Sequence, residues 1–150
     1  MIAVSVPYDI IFVAHLMVGL ATVVVLSTLR VAGLALSRGL DIDSLRRFFP
    51  ARTNHSARVV HLLPLTGLAL SGLGGADVSL GHTWILVGLA MYVLAAGHLE
   101  ARLLPAERRL AQRLASGEVP STREGRRFVG SVDVVLALLG VALVAMIVQI

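Results

Sequence analysis

The sequence predicts an all-α protein, a four-transmembrane-helix up-down bundle with N-out/C-out topology. Three observations predict it. The first is four apolar stretches, at about 9–36, 59–75, 83–104 and 128–149. A bilayer core needs about 20 apolar residues per helix, and the four stretches match that length. The second is composition. Of 150 residues, 57% are hydrophobic and only 15% are charged, with mean hydropathy +0.86. A soluble domain of this size carries about a quarter charged residues. The third is charge placement. All 13 basic residues are arginine, and all border two of the gaps. One group is Arg30, Arg38, Arg46, Arg47, Arg52 and Arg58. The other is Arg102, Arg108, Arg109, Arg113, Arg123, Arg126 and Arg127. Arginine-rich connections stay in the cytoplasm, which places the loops at about 37–58 and 105–127 inside. Residues 1–150 then form a single integral membrane domain, a multi-pass protein of a bacterial inner (plasma) membrane.

The first span, about 9–36, exceeds the bilayer core and is expected to tilt or project inward. Tyr8 and Asp9 mark its outer end, and Pro7 suits a helix start. Arg30 lies near its inner boundary, where a long side chain snorkels. No basic leader or small-residue cleavage site precedes it, so it is expected to remain in the protein. Asp41–Phe49 reads as a short amphipathic segment on the headgroups, ended by Pro50. The second span is the shortest, and Pro64 is expected to kink it. Gly67, Ser71 and Gly75 recur every four residues, a spacing that lets another helix approach closely.

Gly74–His82 reads as a tight outer turn, and Trp84 anchors the third span at the outer interface. Pro105–Leu114 continues that span as a helix along the inner surface, with Gly117 as its C-cap. Ser121 and Glu124 have capping-box spacing for the fourth span. Neither loop is large enough to bury a core of its own. Short connections make consecutive helices antiparallel neighbours.

Composition excludes several functions. The net charge of +4 and pI near 11.0 do not indicate nucleic acid, because the arginines border apolar spans and have few aromatic partners. They act as topogenic charges and contacts to lipid phosphate in the bilayer. Without cysteine there is no disulfide, thiolate metal site or thiol catalysis, and without lysine there is no Schiff base. No phosphate loop, Gly-x-Ser-x-Gly elbow or His-Glu-x-x-His pair occurs, and no catalytic residue is assigned.

The histidines are the candidates for chemistry, because an ionisable residue inside a span is costly and marks a functional hypothesis. His15 lies about two turns inside the outer end of the first span, among apolar residues. His61 and His98 share a depth in the inner leaflet on the second and third spans. Two histidines at matched depth suit axial ligation of haem b. They equally suit a proton relay, or copper or zinc with a third ligand. His55 and His82 are loop residues. Asp133, a turn into the fourth span, needs a partner, and Arg30, Arg102 and Arg127 lie near the same boundary. Glu100 lies between His98 and Arg102. His61, His98, Glu100, Asp133 and Arg30 are therefore expected to form one inner polar cluster, open to a porphyrin propionate, a quinone or a metal.

The run Phe12-Val-Ala-His-Leu-Met-Val-Gly-Leu20 resembles the first helix of the copper-resistance D-like and HemJ-like membrane proteins. Leu65-Thr-Gly-Leu68 is similar to a second-helix pattern of that group. Trp84 and Leu104-Pro-Ala-Glu-Arg-Arg-Leu110 resemble small uncharacterised four-helix members. The HemJ-like branch, protoporphyrinogen oxidases, implies haem b held by a first-helix histidine, which matches His15. That branch also uses a third-helix lysine, and this chain contains no lysine. The copper-resistance D-like branch implies copper uptake along methionine clusters, and the four methionines here are scattered.

Three functions are carried forward. One is a cofactor module using His15, or His61 with His98. Another is an accessory subunit of a larger membrane complex or homo-oligomer. The last is a small metal or solute transporter built on Pro64 and the polar cluster.

Overall fold

A computed structural model describes residues 6–49, 56–74 and 81–149. Pro50, Arg52, His55, Gly75 and most of the Gly74–His82 turn lie outside the described residues. The described residues are helical, with no strand among them. Four helices are long and apolar enough to cross a membrane, which marks a multi-pass membrane protein.

Helix α1 spans Val6–Ser37 and α2 spans Ile42–Phe48. A 3-10 turn, Ser56–His61, leads into α3, Leu62–Leu73. Helix α4 spans Thr83–His98 and passes through a π-helical segment, Leu99–Leu103, into α5, Leu104–Ala115. Helix α6 spans Thr122–Val148. The first and fourth spans start earlier than their apolar stretches, by three residues and by six. Polar first turns cost a helix nothing where they emerge into water.

The ends follow local chemistry. Gly39 and Gly117 have φ of 70° and 85° and close Schellman motifs after α1 and α5. Gly117 donates to the Leu114 carbonyl at 3.2 Å, and Glu118 to the Arg113 carbonyl at 2.9 Å. Ser121 and Glu124 form the full reciprocal capping box of α6. Asp41 caps α2 by accepting from the Ser44 amide at 2.9 Å.

Pro64 and Pro105 each leave a mark. Pro64 has no N–H for the Val60 carbonyl, and its ring crowds that oxygen. The chain is 3-10 up to His61 and α-helical from Leu62, so Pro64 falls in a first turn, where the missing donor matters least. Pro105 likewise leaves the Ala101 carbonyl without an i+4 donor. The helix widens there, and the Leu104 amide reaches back five residues to Leu99.

The spans pack in the order α3, α1, α6, α4, each antiparallel to its neighbour. Among the described residues, α3 and α4 share no comparable packing. The α1–α6 seam is the closest. A Cβ added to Gly125 would lie 2.5 Å from the Ser37 nitrogen. One added to Gly33 would lie 2.8 Å from Phe128 and Val129 side-chain carbons.

The two arginine-rich connections do more than lie on a surface. Helix α2 packs on α5, and Arg46 donates to the Leu114 carbonyl at 3.0 Å. Leu45 and Leu114 are fully buried, and Phe49 meets Phe128 edge-on at 5.6 Å. Neither loop makes a core alone. Together, against the ends of α1 and α6, they make one.

Candidate functional site

His15, Arg30, His61, His98, Glu100, Arg102 and Asp133 each lie at a helix–helix seam or in a cleft between helices. His15 on α1 meets Thr66 on α3, with Nδ1 2.7 Å from Oγ1. Thr66 sits in a helix, so its hydroxyl reaches back to the Leu62 and Leu63 carbonyls at 2.9 and 3.1 Å. Where that contact holds its single proton, its oxygen accepts from His15 Nδ1–H. In that arrangement Nε2 of His15 carries a lone pair and no proton; with the hydroxyl turned to Nδ1 instead, Nε2 carries the proton. Gly67 lies beside the ring, where an added Cβ would make ordinary van der Waals contact with His15 Cε1 at 3.6 Å.

The α3–α4 flank is held by side chains. Arg58 grips Glu100 in a two-pronged pair, Nε to Oε1 at 2.9 Å and Nη2 to Oε2 at 3.2 Å. His61 Nε2 lies 3.2 Å from the same Glu100 Oε1, and its Nδ1 lies 3.0 Å from the Tyr92 hydroxyl. An ionised carboxylate only accepts, so Nε2–H donates to Glu100. In neutral His61, Nδ1 then accepts from the Tyr92 hydroxyl. The chain Tyr92–His61–Glu100–Arg58 is thus a directed hydrogen-bond line. The π-helical segment sets the facing of Glu100, by shifting the register of residues 99–103 against α4.

His98 on α4 meets Ser131 on α6, Nε2 to Oγ, at 2.9 Å. Arg30 on α1 meets Asp133 on α6, Nε to Oδ1, at 2.6 Å. Each of the three packed pairs of spans is therefore clasped by at least one polar contact, and side chains of the second and third spans meet as well. Every buried side-chain nitrogen and oxygen among the described residues has a partner.

The single inner cluster expected from depth is not what the structure assembles. Arg30 joins Asp133, His61 joins Glu100, and His98 turns to Ser131. Arg102 has no carboxylate partner among the described residues and lines a cleft with His98. Residues at one depth share a level but not a face, and a helix seam selects by face. No group of three or more metal-ligating His, Cys, Asp or Glu side chains occurs among the described residues. Thr66, Tyr92 and Ser131 were not visible as site residues, since each is an ordinary span residue by type. The one usable signal was spacing, because Thr66 directly precedes the glycine of Leu65-Thr-Gly-Leu68.

Compared with protein-family models, curated proteins and solved structures, the chain has no match.

Proposed function

We propose that this protein is a cofactor-binding membrane module that holds haem b through Nε2 of His15. The observation that carries this reading is the His15–Thr66 contact. A metal-ligating histidine donates its other ring N–H to a fixed acceptor, which orients the ring and raises its basicity. The Thr66 oxygen, 2.7 Å from Nδ1, is placed to be such an acceptor. The donor set fits haem iron, which takes a neutral imidazole as axial ligand. Haem b would supply one-electron chemistry. The chain's own part is to present Nε2, keep it unprotonated through Thr66, and exclude water with the apolar residues around His15. The resemblance to HemJ-like first helices points to the same histidine. The arginine-rich end faces the cytoplasm of a bacterial inner membrane, and a C-terminal reporter active in the cytoplasm would overturn that orientation.

The test is an absorbance spectrum of the detergent-purified protein after haem reconstitution. A Soret band is expected, abolished by His15→Ala and shifted by Thr66→Val. A protein that stays colourless refutes the reading, as does a band that survives His15→Ala.

A second reading, an accessory subunit of a larger membrane complex, rests on a different observation. Gly72, Gly97 and Gly140 are exposed on the spans, with nothing within 4 Å of an added Cβ. Such bare faces admit another helix closely. Co-purification with a larger complex supports it. A stable monomer carrying its own haem counts against it.

A further inference from the structure

A cleft of about 690 Å³ opens between the continuous α4–α5 helix and α6 at the arginine-rich end. Arg102, Arg109, Arg113 and Arg127 line it, and His98 and Ser131 lie one turn deeper into the spans. Residues 102, 109 and 113 fall on one helical face, at spacings of seven and four. The charges do not balance. Arg113 is engaged by Glu118 and Glu124, and Glu124 is the one carboxylate in the lining. Arg102, Arg109 and Arg127 pair with no carboxylate among the described residues. Elsewhere Arg30, Arg46 and Arg58 each meet an acid, and Arg38, Arg47, Arg108, Arg123 and Arg126 pair with none among the described residues but lie outside the cleft, so the cleft is distinguished by gathering three unpaired guanidinium groups around one hollow. Three unpaired guanidinium groups around one hollow repel one another, and in a low-dielectric setting an anion relieves that repulsion. Their forked donors match phosphate oxygens in geometry.

We propose that this cleft binds the phosphate headgroup of an anionic membrane lipid. A lipid, rather than a soluble phosphate, fits the gradient along the walls. The arginines give way to Ser131, then to the bare backbone at Gly130 and the exposed apolar Val134 of the span. A Cβ on Gly130 would meet nothing within 4 Å, so the wall is low where an acyl chain leaves the headgroup. Basic hollows between spanning helices at the cytoplasmic side are suited to such headgroups. The bound lipid bridges α5 to α6 and stabilises the folded bundle by mass action. His15 lies toward the opposite end of the bundle, so this site and the haem reading stand or fall separately.

The test is native mass spectrometry of the full chain in detergent, titrated with phosphatidylglycerol and, in parallel, with zwitterionic phosphatidylcholine. Preference for phosphatidylglycerol is expected. The pair Arg109→Gln with Arg127→Gln should weaken it by about ten- to thirty-fold. The pair Arg108→Gln with Arg123→Gln removes the same charge outside the cleft and should leave binding unchanged. Equal loss in both double variants overturns the site, because diffuse surface charge would then suffice. Equal binding of the two lipids by the unaltered protein also overturns it, and that measurement needs no variant to fold. Glycerol phosphate competing as well as the lipid would overturn the lipid as ligand in favour of a soluble phosphate.

Discussion

At the arginine-rich end, Leu36, Leu45, Phe49, Leu103, Leu114 and Phe128 are almost wholly buried. Toward the termini, Val13, Leu16, Leu143 and Val144 on the same two long helices are more than half exposed. Both sets are large and apolar, so residue type does not explain the difference. Solvent does. Near the aqueous boundary, burying an apolar side chain removes it from water and is strongly favourable. In the hydrocarbon core, lipid tails are as apolar as leucine, and burial gains little. The helices there associate through close backbone approach and polar contacts instead. The arginine-rich end therefore holds a soluble-type core, made by α2 and α5 against the ends of α1 and α6. The other end is a looser assembly with His15–Thr66 as its polar clasp.

Glycines give the largest test of this contrast. Gly125→Ala forces a methyl group against the backbone at Leu36 and Ser37, where neither side yields easily. A cost of about 2–3 kcal/mol is expected, typical of overpacking. Gly140→Ala, on the loose side, meets open space. It should be neutral or stabilise by up to about 1 kcal/mol through helix propensity. Thermal unfolding of both variants in one detergent, followed by circular dichroism, compares them. Equal melting shifts would remove the contrast.

The Arg30–Asp133 clasp tests how the two zones are joined. Each partner is 45% exposed. A double-mutant cycle with Arg30→Gln and Asp133→Asn should yield a coupling of about 1–2 kcal/mol, less than the several kcal/mol of a fully buried pair. Asp133→Asn alone should destabilise more than the double variant, since it strands Arg30. The reverse order would show that the pair is incidental.

The smallest effect is at Asp41, in the watery zone. The Ser44 hydroxyl, and then the Ser44 amide, hold its carboxyl below the ordinary aspartate value of 3.8. A depressed folded value means that the cap contributes stability above the unfolded value. That contribution is lost as pH falls through the folded value, so its pH dependence is confined to acid. Ser44→Ala should lower stability slightly at neutral pH, and the difference from the unaltered protein should vanish as pH falls through the folded value. A Ser44→Ala loss as large in acid as at pH 7 would contradict the assignment.

Much of the fold was legible because its causes are local. The four spans, the capping box at Ser121 and Glu124, and the Gly117 cap follow from hydropathy and short-range spacing. Pro64 was legible as a break, though it appears as a 3-10 to α switch rather than a mid-helix kink. The polar seams were not legible. His61 and His98 share a depth, yet one faces Tyr92 and Glu100 and the other Ser131. Apolar residues surround these spans on every side, so the sequence carries little signal for rotation about each axis. The π-helical turn at Leu99–Leu103 then shifts that rotation once more.

The sequence by itself determined how many spans there are, roughly where they lie along the chain and which connections carry arginine. Bilayer thickness, backbone hydrogen bonding and charge act residue by residue along the chain. Only the tertiary structure decided the order α3, α1, α6, α4, the pairing of His15 with Thr66, and the meeting of Arg102, Arg109 and Arg127 around one cleft. Those depend on helix rotation and register, which are set by backbone contacts such as Gly125 on Ser37 between residues far apart in the chain.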